Sequence, residues 1–195
     1  MSVVIALKYD NGVVIGADRQ VTCGDNKVIG GITKIKQFPY TKHAIGVCGY
    51  VRHQNAIFLP EELVDWENIV KNTEINKEYI ISVIVPTIKA LVKEIEEKDR
   101  VDDIGQTIYV TPDKIFTIES DGAVIEHELF GCIGSGNVST SGLVTMLANN
   151  DEPLSKEDAI DIVKAGVGTA SENTIYVGTG IDILVLERNE GAECE

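Results

Sequence analysis

Two apolar, β-rich runs, Val3-Val4-Ile5-Ala6-Leu7 and Val13-Val14-Ile15, flank an Asn11-Gly12 pair near the start of the chain. Asn and Gly tolerate the positive φ that two-residue hairpin turns need, so this pattern predicts an antiparallel hairpin with strands over 3–9 and 12–18. A hairpin returns the end of its second strand to the start of its first. Asp18 is therefore expected beside Ser2. A third strand over 27–37 would bring Lys34 alongside as well.

A hydroxyl, a carboxylate and an amine then converge. A Ser hydroxyl is a poor nucleophile until a base takes its proton. If Met1 is removed, Ser2 carries an α-amine, whose unperturbed pKa of about 7.7–8.0 suits a general base at neutral pH. A nearby Lys34 ammonium would favour the neutral amine by like-charge repulsion, and Asp18 would orient Lys34. The same residues also read as a strand-ending Asp before a turn and a solvated edge-strand Lys.

The remaining chain reads as strands, two helices, strands, two helices, strands. A strand over 43–49 pairs with 27–37 around Phe38-Pro39-Tyr40, and Pro60-Glu61-Glu62 marks a helix start. Helical spacing over 77–98 (Ile80, Ile84, Ile88, Leu91, Ile95) is interrupted by Pro86, which predicts a kink or a second start. Strands follow over 106–111, 114–119, 123–127 and 129–134. A helix from Ser135-Gly136 to about Ala148 places Val138, Leu143, Met146 and Leu147 on one side. Ser155-Lys156-Glu157-Asp158 caps a helix running to about Ala170. A last hairpin is expected near 174–177 and 181–188, then a frayed polar tail over 189–195. This order fits an α+β fold, a four-layer αββα sandwich of two antiparallel sheets covered by helices, in one domain over 1–195.

Composition narrows the function. Lys plus Arg is 17 against 31 Asp plus Glu, a net charge of −14, which argues against nucleic acid or an anionic membrane as partner. Four Cys lie far apart and three His show no ligand spacing, so neither a metal site, a disulfide framework nor another cofactor is expected. With no signal peptide or long apolar run, the chain reads as cytoplasmic.

Gly12-Val13-Val14-Ile15-Gly16-Ala17-Asp18-Arg19, Thr22-x-Gly24, Thr33-Lys34-Ile35, Ala44-Ile45-Gly46-Val47-Cys48-Gly49-Tyr50 and Ile133-Gly134-Ser135-Gly136 together resemble the proteasome β-subunit family, including its HslV-type bacterial peptidases. The resemblance spans nearly the whole chain. It implies the proteasome-like N-terminal nucleophile hydrolase form of that sandwich, and a peptidase of that class. By position it implies Ser2 as nucleophile where the family has Thr, Asp18 and Lys34 as its catalytic partners, and Ser135 as the group that bonds the terminal amine. Glu172 falls on a supporting Asp, one methylene longer, and Gly49 on the oxyanion N–H. Thr22 falls on a residue pairing with substrate backbone, and Val21, Ile32, Val47 and Val51 on an apolar side-chain pocket. The resemblance further implies a peptide or unfolded-protein substrate, a homo-oligomeric ring and an ATP-dependent unfoldase. A transpeptidase or amidase on the same scaffold, and a non-catalytic subunit retaining Met1, are the alternative readings.

Overall fold

The computed structural model describes residues 2–23, 26–29, 32–39, 41–58, 69, 74–96, 102–148 and 152–188. The first hairpin forms as β1 (Val3–Tyr9) and β2 (Gly12–Asp18), with Val4 opposite Ala17 and Tyr9 opposite Gly12. β3 (Gln20–Cys23) and β4 (Asn26–Ile29) make a separate two-stranded ribbon. The strand expected over 27–37 is thus split: β5 is only Ile35–Gln37, paired with β6 (Ala44–Cys48). Helix α1 (Val51–Phe58) follows directly, ahead of the helix start expected at Pro60. The helix start at Pro60-Glu61-Glu62 lies outside the described residues, as do the 189–195 tail and the end of the 77–98 helix.

Pro86 shapes the next helix in an unexpected way. α2 (Lys77–Tyr79) runs through a π-helical turn, Ile80–Ile84, into α3 (Val85–Glu96). Proline lacks an N–H and its ring crowds the carbonyl four residues back. The wider turn placed just before Pro86 is a known way for a helix to absorb such a mismatch without ending.

Strands β7 (Gln106–Val110), β8 (Ile115–Ile118) and β9 (Val124–His127) extend one sheet in the order β5-β6-β7-β8-β9. β10 (Phe130–Gly134) crosses to the other sheet, whose order is β10-β1-β2-β11. β11 (Ile181–Glu187) pairs with β2, while residues 174–177 form no strand, so the expected closing hairpin is replaced by a long-range pair. Helices α4 (Asn137–Ala148) and α5 (Lys156–Asn173) lie between β10 and β11, and Ser155 caps α5 by accepting from Asp158 N at 3.1 Å.

Side-chain alternation along the strands builds four layers. Val4, Ala6, Val13 and Ile15 meet Ile35, Ala44, Ile108 and Val110 between the two sheets. Val3, Ile5 and Leu7 point the other way, onto Val144, Val163 and Val167 of α4 and α5. On the far side Ile45, Tyr109 and Phe116 pack against Ile57, Ile84, Ile88 and Val92. The protein is an αββα sandwich. β1 and β2 are covered on both faces, which is why their sequences are almost continuously apolar.

The buried side of α4 is not the expected one. Val138 is 86% exposed and Met146 71%, whereas Thr140, Val144 and Ala148 are buried. α4 approaches α5 through this small-residue stripe, and Thr140 Oγ1 donates to the Gly166 carbonyl at 3.1 Å. Bulky side chains there would hold the helices apart, so they occupy the outer face. No helix among the described residues is long and apolar enough to cross a membrane.

Two histidines tie stability to pH. His43 Nδ1 lies 2.8 Å from the Tyr109 hydroxyl and His127 Nε2 2.8 Å from that of Thr117. Burial pushes both imidazoles below their ordinary value; for His127 the nearby Glu119 carboxylate opposes the effect. Below about pH 6.5 the unfolded chain therefore binds more protons than the folded one. Stability should fall as the pH drops from about 6.5 through the lowered folded-state values. Denaturant titrations across that window should show the decline, with a shallower slope for His43→Gln.

Candidate active site

Asp18 ends β2 opposite the start of β1, and the site grows from its carboxylate. Oδ1 accepts from Val3 N at 2.9 Å and from Lys34 Nζ at 2.7 Å. Oδ2 accepts from Gln20 N and Gly178 N, each at 3.0 Å. Four donors surround a side chain with no solvent exposure. Such a buried carboxylate is tolerable only because its lone pairs are so fully engaged. Lys34 is itself buried, and its carbonyl accepts from Val47 N at 2.9 Å, which extends the pairing of β5 and β6 by one step. Gln54 of α1 donates to the Thr33 carbonyl and steadies the same approach.

Ser2 precedes β1 and is nearly buried. Its carbonyl is met by Gly136 N at 3.3 Å and by Ser135 Oγ at 3.4 Å. The loop reaches it because Gly134 has a φ of +93° and no side chain; a Cβ there would fall 2.2 Å from the Ser2 carbonyl oxygen. The backbone around Ser2 is thus held by Asp18 on one side and by the 134–136 loop on the other.

Ser2 and Lys34 both line a cleft of about 340 Å³, together with Val21, Thr22, Val47, Gly49 and Val51. These come from β3, the end of β6 and the start of α1. Gly49 has a φ of +142° and is exposed at the cleft. Ile32 is half-buried and is not among the lining residues. Ser135 is exposed beside Ser2 and outside the lining. Glu172 is exposed in the last turn of α5, and the hydrogen bond of Ser135 runs to the Ser2 carbonyl instead.

Gln20, Tyr50, Gln54, Asp103 and Gly105 also line the cleft and were not legible as site residues. Tyr50 closes the Ala44–Tyr50 motif without an assigned role, and Gln20 stands two residues beyond Asp18. Its Nε2 donates to the Ile175 carbonyl at 2.8 Å and to Thr22 Oγ1 at 3.2 Å. Cys48 borders the site, but burial raises its thiol far above the ordinary value, with Lys34 opposing only in part. Burial pushes the Cys132 thiol up to about 12. Neither supplies a thiolate nucleophile. Among the described residues no group of three His, Cys, Asp or Glu side chains could hold a metal.

The Asp18–Lys34 pair should matter to stability far more than surface pairs do. Asp18→Ala leaves a buried ammonium and three backbone N–H groups without their acceptor. A loss of about 3–5 kcal/mol is expected, against a far smaller one for breaking the half-exposed Arg19–Asp182 pair with Arg19→Ala. Equilibrium urea unfolding of both variants checks the contrast.

No family model matches the chain. Among curated proteins it is 29% identical over 188 residues to the ATP-dependent protease subunit HslV of Aliarcobacter butzleri, covering 94% of this chain and 96% of the relative. It is 27% identical over 189 residues to the protein of the same name from Campylobacter concisus, with 94% and 97% covered. Among solved structures, Thiobacillus denitrificans BPH in complex with epoxomicin superposes with a TM-score of 0.75 at 18% identity, covering 96% of this chain and all of that one.

Proposed function

We propose that the chain is an N-terminal nucleophile hydrolase of the kind of the HslV peptidases and proteasome β-subunits it resembles, and that it cleaves peptide bonds with Ser2 after removal of Met1. The observation that carries this reading is the double hold on residue 2. Asp18 takes the following N–H, Gly136 and Ser135 take the carbonyl, and Ser2 faces the cleft that Lys34 also lines.

In the proposed reaction the Ser2 hydroxyl oxygen attacks the peptide carbonyl while its proton passes to the residue's own α-amine. The Lys34 ammonium, oriented by Asp18, disfavours a positive charge on that amine and so keeps it neutral, free to take the proton. Gly49 N–H receives the charge that develops on the carbonyl oxygen. As the C–N bond breaks, the proton moves to the leaving amine and an ester to Ser2 remains. Water then adds to the ester and releases the acid, restoring the hydroxyl. Ser135 and Thr22 hold the nucleophile's backbone and the substrate's. The Val21, Val47 and Val51 walls fit an apolar side chain before the cleaved bond.

The two curated relatives are named as ATP-dependent protease subunits, and we extend that arrangement to this chain. It would act in the cytoplasm as a homo-oligomer fed with unfolded polypeptide by a separate ATP-driven unfoldase. The exposed Val138 and Met146 of α4 supply an apolar surface suited to such a subunit contact.

Intact mass and Ser2→Ala together test the peptidase reading. The expected result is a mass lacking one Met, turnover of a fluorogenic apolar peptide, and complete loss of turnover in a folded Ser2→Ala variant. A retained Met1, or activity that survives the substitution, would overturn it. Sedimentation velocity checks the assembly: a species larger than the 21.2 kDa monomer is expected.

A further inference from the structure

Gln106 stands outside the cleft and belongs to neither the family motif nor the mechanism above. It opens β7, in the sheet opposite Ser2, yet its side chain reaches across to the loop that holds Ser2. Its Oε1 accepts from Gly134 N at 2.9 Å, and its Nε2 donates to Glu119 Oε2 at 2.7 Å. β10 is an edge strand of its sheet, so an outward N–H at its end needs a partner from elsewhere. Gln106 is that partner.

The orientation of the amide is fixed by chemistry. A Glu119 carboxylate only accepts, so it must face the NH₂ of Gln106, which turns the amide oxygen toward Gly134 N–H. The flipped amide would set oxygen against carboxylate and NH₂ against N–H. Glu119 thus makes Gln106 a committed acceptor.

Gly134 begins the turn whose next two residues meet the Ser2 carbonyl, so fixing its N–H fixes where Ser135 and Gly136 stand. The neighbouring residue, Gly105, touches the other half of the site: a Cβ on Gly49 would lie 3.2 Å from Gly105 Cα. Gly105 and Gln106, successive residues at the entry to β7, therefore abut the Gly49 backbone and the Ser2 cradle.

We infer that Gln106, locked by Glu119, is a positioning residue that sets the nucleophile cradle against the oxyanion backbone across the two sheets. This rests on the serine-peptidase reading. It acts through Gly134 and touches neither substrate nor reacting atoms. Its loss should therefore lower kcat and leave KM nearly unchanged.

The test is an exchange of the two side chains. Gln106→Glu sets two carboxylates against each other and should lower kcat, and the rate at which a peptide vinyl sulfone labels Ser2, by about 10- to 100-fold. Adding Glu119→Gln restores one acceptor toward Gly134 and one donor between the pair. The double variant should return to within about threefold of the parent, because the geometry is recovered with the polarity reversed. Hydrogen exchange at the Gly134 amide should quicken in the single variant and slow again in the double one. Because the single and double variants are compared with each other, a general loss of stability on altering Gln106 does not mimic the result. Full kcat and labelling in Gln106→Glu, or a folded double variant no better than the single one, would overturn the inference. Turnover that persists in Ser2→Ala would instead overturn the peptidase reading, and is scored separately.

Discussion

A single buried carboxylate organises this molecule. Asp18 joins the start of β1, the approach to β5, the start of β3 and the segment before β11, all through its two oxygens. Removing a carboxylate and an ammonium from water costs several kcal/mol each, and their attraction offsets this only when the geometry is good and the other lone pairs are filled. Here the three backbone N–H groups do that. The pair is better understood as a device that fixes positions than as a source of net stability. What it fixes is the backbone of residue 2 and the direction of Lys34.

The sandwich around it makes those positions rigid. β1 and β2 carry apolar side chains on both faces, one set packed between the sheets and the other under α4 and α5. Shifting β1 by one residue would send Val4 and Ala6 to the helices and Val3, Ile5 and Leu7 between the sheets. The small Ala6 has its counterpart in the close approach of the sheets at Gly46, where a Cβ would fall 2.7 Å from Val4. Register is thereby set by side-chain volume as well as by hydrogen bonding, and with it the place of Ser2.

Much of this was legible where the cause is local. The Asn11-Gly12 turn and its flanking runs carry their own geometry, and the hairpin leads directly to Asp18 beside the chain start. The Ser155 cap is equally local. What stayed hidden depends on partners far away in sequence. Nothing near Gly178 marks its N–H as a ligand of Asp18, and Gln106 acquires meaning only when β10 lies across from it. The outer face of α4 was misread for a related reason: helix periodicity counts apolar residues, but close packing of two helices selects the small ones. The split of the third strand was hidden because β-rich residues stand on both sides of Gly30-Gly31 in 27–37, while only tertiary pairing decides where a ribbon ends and a sheet begins.

The contacts that build the site also decide when it exists during folding. β1 pairs with residues 130–134, β2 with 181–187, and Asp18 waits for an N–H 160 positions later. Pairings this distant close slowly, because the loop entropy is lost before the contacts form. A growing chain therefore holds the first hairpin without the loop that grips residue 2 or the last donor to Asp18. The cleft and the double hold on residue 2 come into being only with the completed sandwich, so a half-made chain carries the residues of the site but not its geometry.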